Sequence, residues 1–155
     1  MKNKFMQIAY EEALAGLRKN HGGPFGAVVV QNGTIIARAH NQVIDSRDPT
    51  AHAEILAIRL ASKQLETFDL SGCEIYSTCE PCPMCLGAII WAKIRNLYYA
   101  CTQEDAAKIG FDDQLIYHTI RGETNEKVIH TTQMGRDACL PLFEMWTQKE
   151  DKVPY

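Results

Sequence analysis

Two short segments of the sequence carry side chains of the types that bind transition metals and transfer protons. The first contains His52 and Glu54 in the order H-x-E, and the second contains Cys82 and Cys85 in the order P-C-x-x-C. Zinc prefers imidazole and thiolate ligands, and a catalytic zinc site has three protein ligands and a fourth position for water. The His and the two Cys therefore predict a Zn²⁺ site, with Glu54 as the acid-base group beside it.

The spacing within each segment requires both of them to lie at the start of a helix. Cys82 and Cys85 are three residues apart, so one helical turn brings them together, and the positive helix end favours their thiolates. His52 and Glu54 are two residues apart, which inside a helix would turn them about 200° away from each other. They can face one site only from a first turn, which Asp-Pro-Thr at 48–50 predicts. We therefore expect two helix N-termini to converge on one metal ion.

A structural metal site is the alternative interpretation of the clustered cysteines. Cys79 precedes the pair and could join it in a closed site. However, no second pair of cysteines or histidines completes four ligands, and a closed site has no use for an adjacent carboxylate. The remaining cysteines, Cys73, Cys101 and Cys139, are expected to be buried core thiols.

The elements that must position these residues alternate between helix and strand, which is typical of an α/β layered domain with a mixed sheet. Asn32-Gly33 between two β-rich runs predicts a hairpin. The expected helices are 3–19, a segment ending near 67, a segment ending near 93, pieces of 103–120 broken near Gly110, and 137–150. The expected strands are 27–30, 34–37, 73–78, 96–100 and a short final strand at 128–131.

Size and charge narrow the class of protein further. The 155 residues suit one compact domain, and no apolar run approaches the ~20 residues of a membrane helix. A net charge of −3 and a pI of about 5.9 disfavour a nucleic-acid partner, whose binding depends on neutralising phosphates. We expect a cytoplasmic protein without a membrane or nucleic-acid partner.

Three stretches of the chain resemble the cytidine-deaminase-like zinc superfamily, namely 24–30, 48–54 and 79–88. The combination H-x-E and P-C-x-x-C is the signature of zinc deaminases. Within the superfamily, the chain most resembles the bacterial guanine deaminase family, on residues 105–113 and on the short tail that ends in Tyr155.

The resemblance implies a three-layer α/β/α sandwich with a five-stranded mixed sheet, formed by residues 1–155 as a single zinc-dependent deaminase domain. It implies the hydrolytic deamination of guanine to xanthine and ammonia, with one Zn²⁺ per subunit and a purine base as the small-molecule partner. It also implies a homodimer in which the C-terminal segment, about 133–155, is exchanged between subunits.

The resemblance further implies a role for each site residue. The metal ligands would be His52, Cys82 and Cys85, the catalytic residues Glu54 and Asp113, and the substrate-binding residues Asn41, Phe25 and Tyr155. Glu54 would be the principal proton shuttle, and Asp113 would assist near the exocyclic amine. Tyr155 of one chain would close over the site of the other.

Simpler roles remain open for three of these residues. The amide of Asn41 offers a donor and an acceptor to a base edge, but a loop Asn also caps turns. Phe25 could stack on a base or belong to the core. Asp113 could bind the amine or cap the next helix.

Three alternative functions also remain open. A tRNA adenosine deaminase would share the zinc motifs, but residues 101–105 lack the Asp-Pro-Lys pattern expected there, and the tail lacks a basic cluster. A nucleoside or pyrimidine deaminase, acting on guanosine or cytosine, would use the same chemistry. A zinc-stabilised scaffold without catalysis would leave Glu54 without a role.

Overall fold

The computed structural model describes residues 3–125 and 128–155. They form four strands and seven helices within those ranges, in an order close to the expected one. In chain order the elements are α1 (Lys4–Arg18), β1 (Gly26–Gln31), β2 (Thr34–His40), α2 (Val43–Ser46), α3 (Ala53–Leu65), β3 (Cys73–Cys79), α4 (Pro83–Trp91), β4 (Asn96–Cys101), α5 (Gln103–Lys108), α6 (Gln114–Arg121) and α7 (Arg136–Gln148).

The strands form one mixed sheet in the order β2-β1-β3-β4. β1 is antiparallel to both β2 and β3, and β3 is parallel to β4. The predicted hairpin is confirmed, because Gln31 pairs with Thr34 across a two-residue turn. Asn32 and Gly33 in that turn have φ angles of 49° and 75°, the positive values that suit a tight hairpin.

Helices cover both faces of the sheet, because successive residues of a strand point to opposite sides. Val28 and Val30 of β1 pack in one cluster with Phe5 of α1. Ala27 and Val29 lie on the other face, in a cluster with residues of α3 and α4. The fold is therefore mixed α/β, with α1 on one face of the sheet and α3 and α4 on the other.

The expected fifth strand is wrong for this structure. Residues 128–131 are irregular, and Val128 and Ile129 are 51% and 72% exposed. The sheet of the described residues has four strands, and β4 is at its edge. The β-favouring residues of this segment set only a local preference, and a strand also requires a partner with which to pair.

The C-terminal helix α7 forms as predicted but presents apolar side chains to solvent. Its large apolar residues are exposed, namely Leu142, Phe143, Met145 and Trp146. The prediction of buried thiols holds for Cys73 and is wrong for Cys101 and Cys139, which lie on the exposed strand β4 and on α7. Within residues 3–125 and 128–155, no helix has both the length and the apolar character needed to span a membrane.

Candidate metal centre and active-site pocket

The first turn of α3 places His52 and Glu54 as the sequence predicts. Asp48 Oδ1 accepts hydrogen bonds from the N–H and the hydroxyl of Thr50, at 2.8 and 2.7 Å, which builds the turn before the helix. His52 is the N-cap residue in an extended conformation, and its side chain makes no capping bond. Its ring is therefore available to a ligand, and Glu54 follows in the first turn.

The start of α4 carries the two cysteines. Cys82 is its N-cap residue and Pro83 occupies the first turn, where the missing N–H costs nothing. Cys85 lies one turn further on and is fully buried. Both segments are therefore helix N-termini, and the predicted convergence of two helix starts is confirmed.

The three predicted ligands meet at one point. His52 Nδ1 lies 3.6 Å from Cys82 Sγ and 3.5 Å from Cys85 Sγ. Nitrogen and sulfur ligands at about 2.05 and about 2.3 Å from a tetrahedral zinc ion lie roughly 3.6 Å apart. The ligand atoms of the three residues all lie within 4.8 Å of one another. The donor set and its spacing therefore fit a zinc ion.

Cys79 does not belong to this cluster. Its thiol donates to the carbonyl oxygen of Thr102 at 3.5 Å, and burial raises its pKa to about 11. Among the residues that the structure describes, the ligand atoms that lie close enough to share a metal ion are those of His52, Cys82 and Cys85, without Cys79. The geometry therefore does not support a closed site that contains Cys79.

The two cysteines of the cluster are joined by a hydrogen bond that shifts the pKa of each. A hydrogen bond from Cys85 lowers the pKa of Cys82 to about 4, and the retained proton raises the pKa of Cys85. The hydrogen bond with Cys82 raises the pKa of His52. One thiolate is thus present before a metal binds, and metal binding displaces the remaining proton.

Glu54 is a buried carboxyl group beside the cluster, with 5% of its surface exposed. Burial raises its pKa, since the charged form loses hydration. Its Oε2 lies 3.5 Å from Cys85 Sγ, and its Oε1 accepts a hydrogen bond of 3.2 Å from Ser77 Oγ. A carboxyl group with a raised pKa is suited to both accepting and donating a proton.

A cavity of about 460 Å³ opens onto these residues, a size suited to a small ligand. The predicted residues His52, Glu54, Cys82, Asn41, Phe25 and Asp113 all contribute to its wall. Tyr155 does not. Its ring lies outside the cavity, with its centroid 6.3 Å from that of Phe68 and 6.1 Å from that of Trp91.

The Asn41 side chain both shapes the loop and faces the cavity. Its Oδ1 accepts hydrogen bonds from the N–H groups of Gly23 and Val43, at 3.3 and 3.2 Å. The turn-capping role is therefore real and uses the amide oxygen. In the described part of the chain, no acceptor binds the amide nitrogen, so a donor remains for a ligand.

Phe25 also combines two roles, because it packs against the core and lines the cavity. Its ring meets that of Phe111 edge to face, with centroids 4.9 Å apart and planes at 87°. No motif of the sequence predicts a role for Phe111. It follows Gly110 in the break between α5 and α6, and an aromatic residue in such a break was the available signal.

Asp113 lies at the start of α6 without capping it through its side chain. The neighbouring Asp112 accepts from the N–H of Gln114 at 2.9 Å instead. Partial burial, together with the nearby Cys82, raises the pKa of Asp113. Tyr117 of α6 donates to the carbonyl oxygen of Pro81 at 3.2 Å, which ties this helix to the cysteine segment. The carboxyl group of Asp113 is thus left for the cavity.

Known proteins resemble this chain in sequence and in structure. Residues 1–101 match the model of the cytidine and deoxycytidylate deaminase zinc-binding region. A guanine deaminase from Bacillus subtilis is 45% identical over 97% of both chains. The crystal structure of a guanine deaminase from the same organism matches with a TM-score of 0.94 and 44% identity, over 100% of this chain and 99% of that one.

A tRNA-specific adenosine deaminase from Aquifex aeolicus is 43% identical, over 64% of this chain and 65% of its own. The similarity to the Bacillus subtilis guanine deaminase thus extends over nearly the whole chain. The tRNA-specific adenosine deaminases match over less of it, 64% in this case and 84% for one from Buchnera aphidicola. The chain belongs to the cytidine and deoxycytidylate deaminase zinc-binding family.

Proposed function

We propose that this protein catalyses the zinc-dependent hydrolytic deamination of guanine to xanthine and ammonia. The observation that carries the proposal is the buried carboxyl group of Glu54 beside the cluster of His52, Cys82 and Cys85, in a cavity of suitable size. The similarity to guanine deaminases along the whole chain supports this substrate over tRNA.

The three ligands would hold a zinc ion, which when bound supplies Lewis acidity and activates water at neutral pH. Glu54 accepts one proton from the attacking water and delivers it to a ring nitrogen. It then accepts the remaining proton from the hydroxyl group on the attacked carbon and delivers it to the departing amine, which leaves the carbonyl group of xanthine and ammonia. Burial raises its pKa, which makes it a stronger proton acceptor than an exposed carboxylate. Its burial also excludes bulk water from the path of the proton.

The cavity wall offers a matching group for each part of a purine base. The free amide N–H of Asn41 would donate to an acceptor on the base. Phe25 and Phe111 present two aromatic walls at right angles, one of which would take the flat face of the rings. Asp113 would accept from the exocyclic amine and hold it near Glu54. Such positioning accounts for a large part of enzymatic rate enhancement.

The C-terminal segment, about 133–155, is proposed to cross to a second copy of the chain and form a homodimer. α7 supports this, because it exposes apolar residues that a partner would bury. Tyr155 of the partner subunit would then close the cavity, which the same residue does not reach within one chain.

We also propose a cytoplasmic location. All six cysteines are free, and thiolate ligands persist in a reducing compartment.

The test is an ammonia-release assay with zinc-loaded protein over guanine, guanosine, cytosine and tRNA. Guanine should be the preferred substrate and xanthine the product. Glu54→Ala should abolish turnover and keep the zinc content, because Glu54 is not among the three ligands. Loss of zinc in that variant, or a preference for tRNA with steep salt dependence, would contradict the proposal.

A further inference from the structure

Ser77 is a buried polar residue in an apolar layer. It lies on β3, two residues after Ile75, and therefore points to the sheet face that packs against α3. Only 1% of its surface is exposed, and it pairs with Ala27 of β1 across the ladder. A hydroxyl group in such surroundings is costly unless a hydrogen bond compensates for its lost hydration.

The hydrogen bond that compensates is made to Glu54. Ser77 Oγ donates to Glu54 Oε1 at 3.2 Å, between two residues that are both buried. The other carboxyl oxygen, Oε2, lies on the side of Cys85, whose Sγ is 3.5 Å away. The two oxygens of one carboxyl group are thus directed differently, one toward the sheet and one toward the metal cluster.

The two contacts of the carboxyl group lie on different sides of the cavity wall. Glu54 and Cys82 line the cavity, whereas Ser77 does not. The contact of Oε1 is therefore made behind the wall, and Oε2 is the oxygen on the side of the metal ligands.

We propose that Ser77 is a positioning residue for the deamination proposed above, and that its hydroxyl holds Glu54 through Oε1 so that Oε2 points at the reacting atoms. Ser77 does not line the cavity and therefore does not touch the substrate. It acts through the orientation of Glu54, whose carboxyl group would otherwise rotate about its side-chain bonds. Its loss should therefore lower kcat and leave KM nearly unchanged.

A matched pair of variants separates the hydroxyl from the shape of the side chain. Ser77→Thr keeps the hydroxyl and Ser77→Val replaces it with a methyl group in a side chain of the same shape, so any overpacking is common to both. We expect Ser77→Thr to keep kcat within about 3-fold of the parent and Ser77→Val to lose about 10- to 100-fold, with zinc content and KM similar in both. Ser77→Ala removes the hydroxyl without adding volume and should behave like Ser77→Val.

A second measurement reports the same contact without any substrate. The melting temperature of Ser77→Val should lie roughly 2–8 °C below that of Ser77→Thr, because the valine leaves a buried carboxyl oxygen without its donor. In the Glu54→Ala background this difference should vanish or reverse, because the acceptor is gone.

Several results would overturn the inference. The first is a kcat of Ser77→Ala equal to that of the parent. The second is a loss of zinc from Ser77→Val and not from Ser77→Thr. The third is a difference in melting temperature between these two variants that persists in the Glu54→Ala background. If guanine is not the substrate but the melting difference depends on Glu54, the substrate assignment fails and the Ser77–Glu54 contact stands.

Discussion

Gly22 and Asn41 are in such close contact that no side chain fits between them. A methyl group on Gly22 would lie 2.0 Å from Asn41 Oδ1. The next residue, Gly23, donates its N–H to the same oxygen. The loop before β1 is therefore packed directly against the Asn41 amide that faces the cavity. This close approach requires a residue without a side chain at Gly22.

We expect Gly22→Ala to weaken substrate binding. The added methyl group must displace the Asn41 amide, and its free N–H then no longer points into the cavity. Losing a buried hydrogen bond to a ligand corresponds to roughly 1–3 kcal/mol, so KM for guanine should rise about 5- to 150-fold. Steady-state kinetics on the zinc-loaded variant give this value, with zinc content measured in parallel.

Gly87→Ala is the matched control for that substitution. Gly87 lies within α4, and a Cβ there would meet no atom within 4 Å. Alanine is the better helix former, so this variant should keep KM and gain slightly in stability. An unchanged KM in Gly22→Ala would show that the Asn41 amide does not contribute to substrate binding.

Asp113→Asn tests the second carboxyl group of the cavity. Asparagine keeps the shape of aspartate, but its amide cannot accept a proton. In one of its two orientations, the amide also presents an N–H donor to the substrate amine where the carboxylate presents an acceptor. We expect kcat to fall about 10²- to 10⁴-fold with zinc retained. The measurement is the rate of xanthine formation at saturating guanine.

The adjacent Asp112 supplies the comparison. Its carboxylate accepts from the N–H of Gln114, and an asparagine oxygen can make the same bond. Asp112→Asn should therefore stay within about 3-fold of the parent. Equal losses in both variants would indicate a general effect of charge near α6 and would contradict a specific role for Asp113.

The pairing of residues within each metal-binding segment was predictable from the sequence because its geometry is local, whereas the meeting of the two segments was implied by the family resemblance. Cys82 and Cys85 are related by one helical turn, and His52 and Glu54 by the start of another. Side-chain types and spacing fix such relationships before any long-range contact is considered. The hairpin at Asn32-Gly33 is predictable for the same reason, since its two residues adopt the positive φ angles that the turn requires.

Relationships between distant parts of the chain were not predictable in this way. Phe111, in the break between α5 and α6, meets Phe25, just before β1, and no spacing rule connects the two residues. Residues 128–131 have strand-like composition but no partner in the described chain. The contact of Ser77 was predictable in part. A polar residue in a buried strand requires a hydrogen-bond partner, but the sequence does not show which residue it is.

Asp69 should give the folded protein a stability that depends on acid pH. Its carboxylate accepts from the N–H of Ser71 at 3.0 Å and from Lys93 at 3.1 Å, and these bonds lower its pKa to about 2. A pKa below the unfolded value of 3.8 means that the contribution is complete above about pH 4 and is lost as the pH falls toward 2. Asp69→Asn should therefore lower the urea midpoint most at pH 6, less at pH 3, and little at pH 2.

The substitution Lys93→Gln separates the contribution of Lys93 to the lowered pKa of Asp69 from that of Ser71. The bond to Ser71 is the larger cause of the lowered pKa, so removing the lysine should have the smaller effect on the urea midpoint at pH 6. A midpoint difference for Asp69→Asn that is the same at pH 3 and pH 6 would contradict the role of its charge.

Mixed dimers of two impaired chains test whether Tyr155 acts on the cavity of the partner subunit. One chain carries Glu54→Ala and the other carries Tyr155→Ala, and the two are unfolded together and refolded with zinc. If the tail crosses between subunits, each mixed dimer has one site that combines an intact Glu54 with an intact Tyr155. Random assortment then restores about a quarter of the parent activity per subunit, since about half of the dimers are mixed and half of their sites are complete. If Tyr155 serves its own chain, neither site of a mixed dimer is complete, and the mixture should be no more active than the average of the two variants refolded separately.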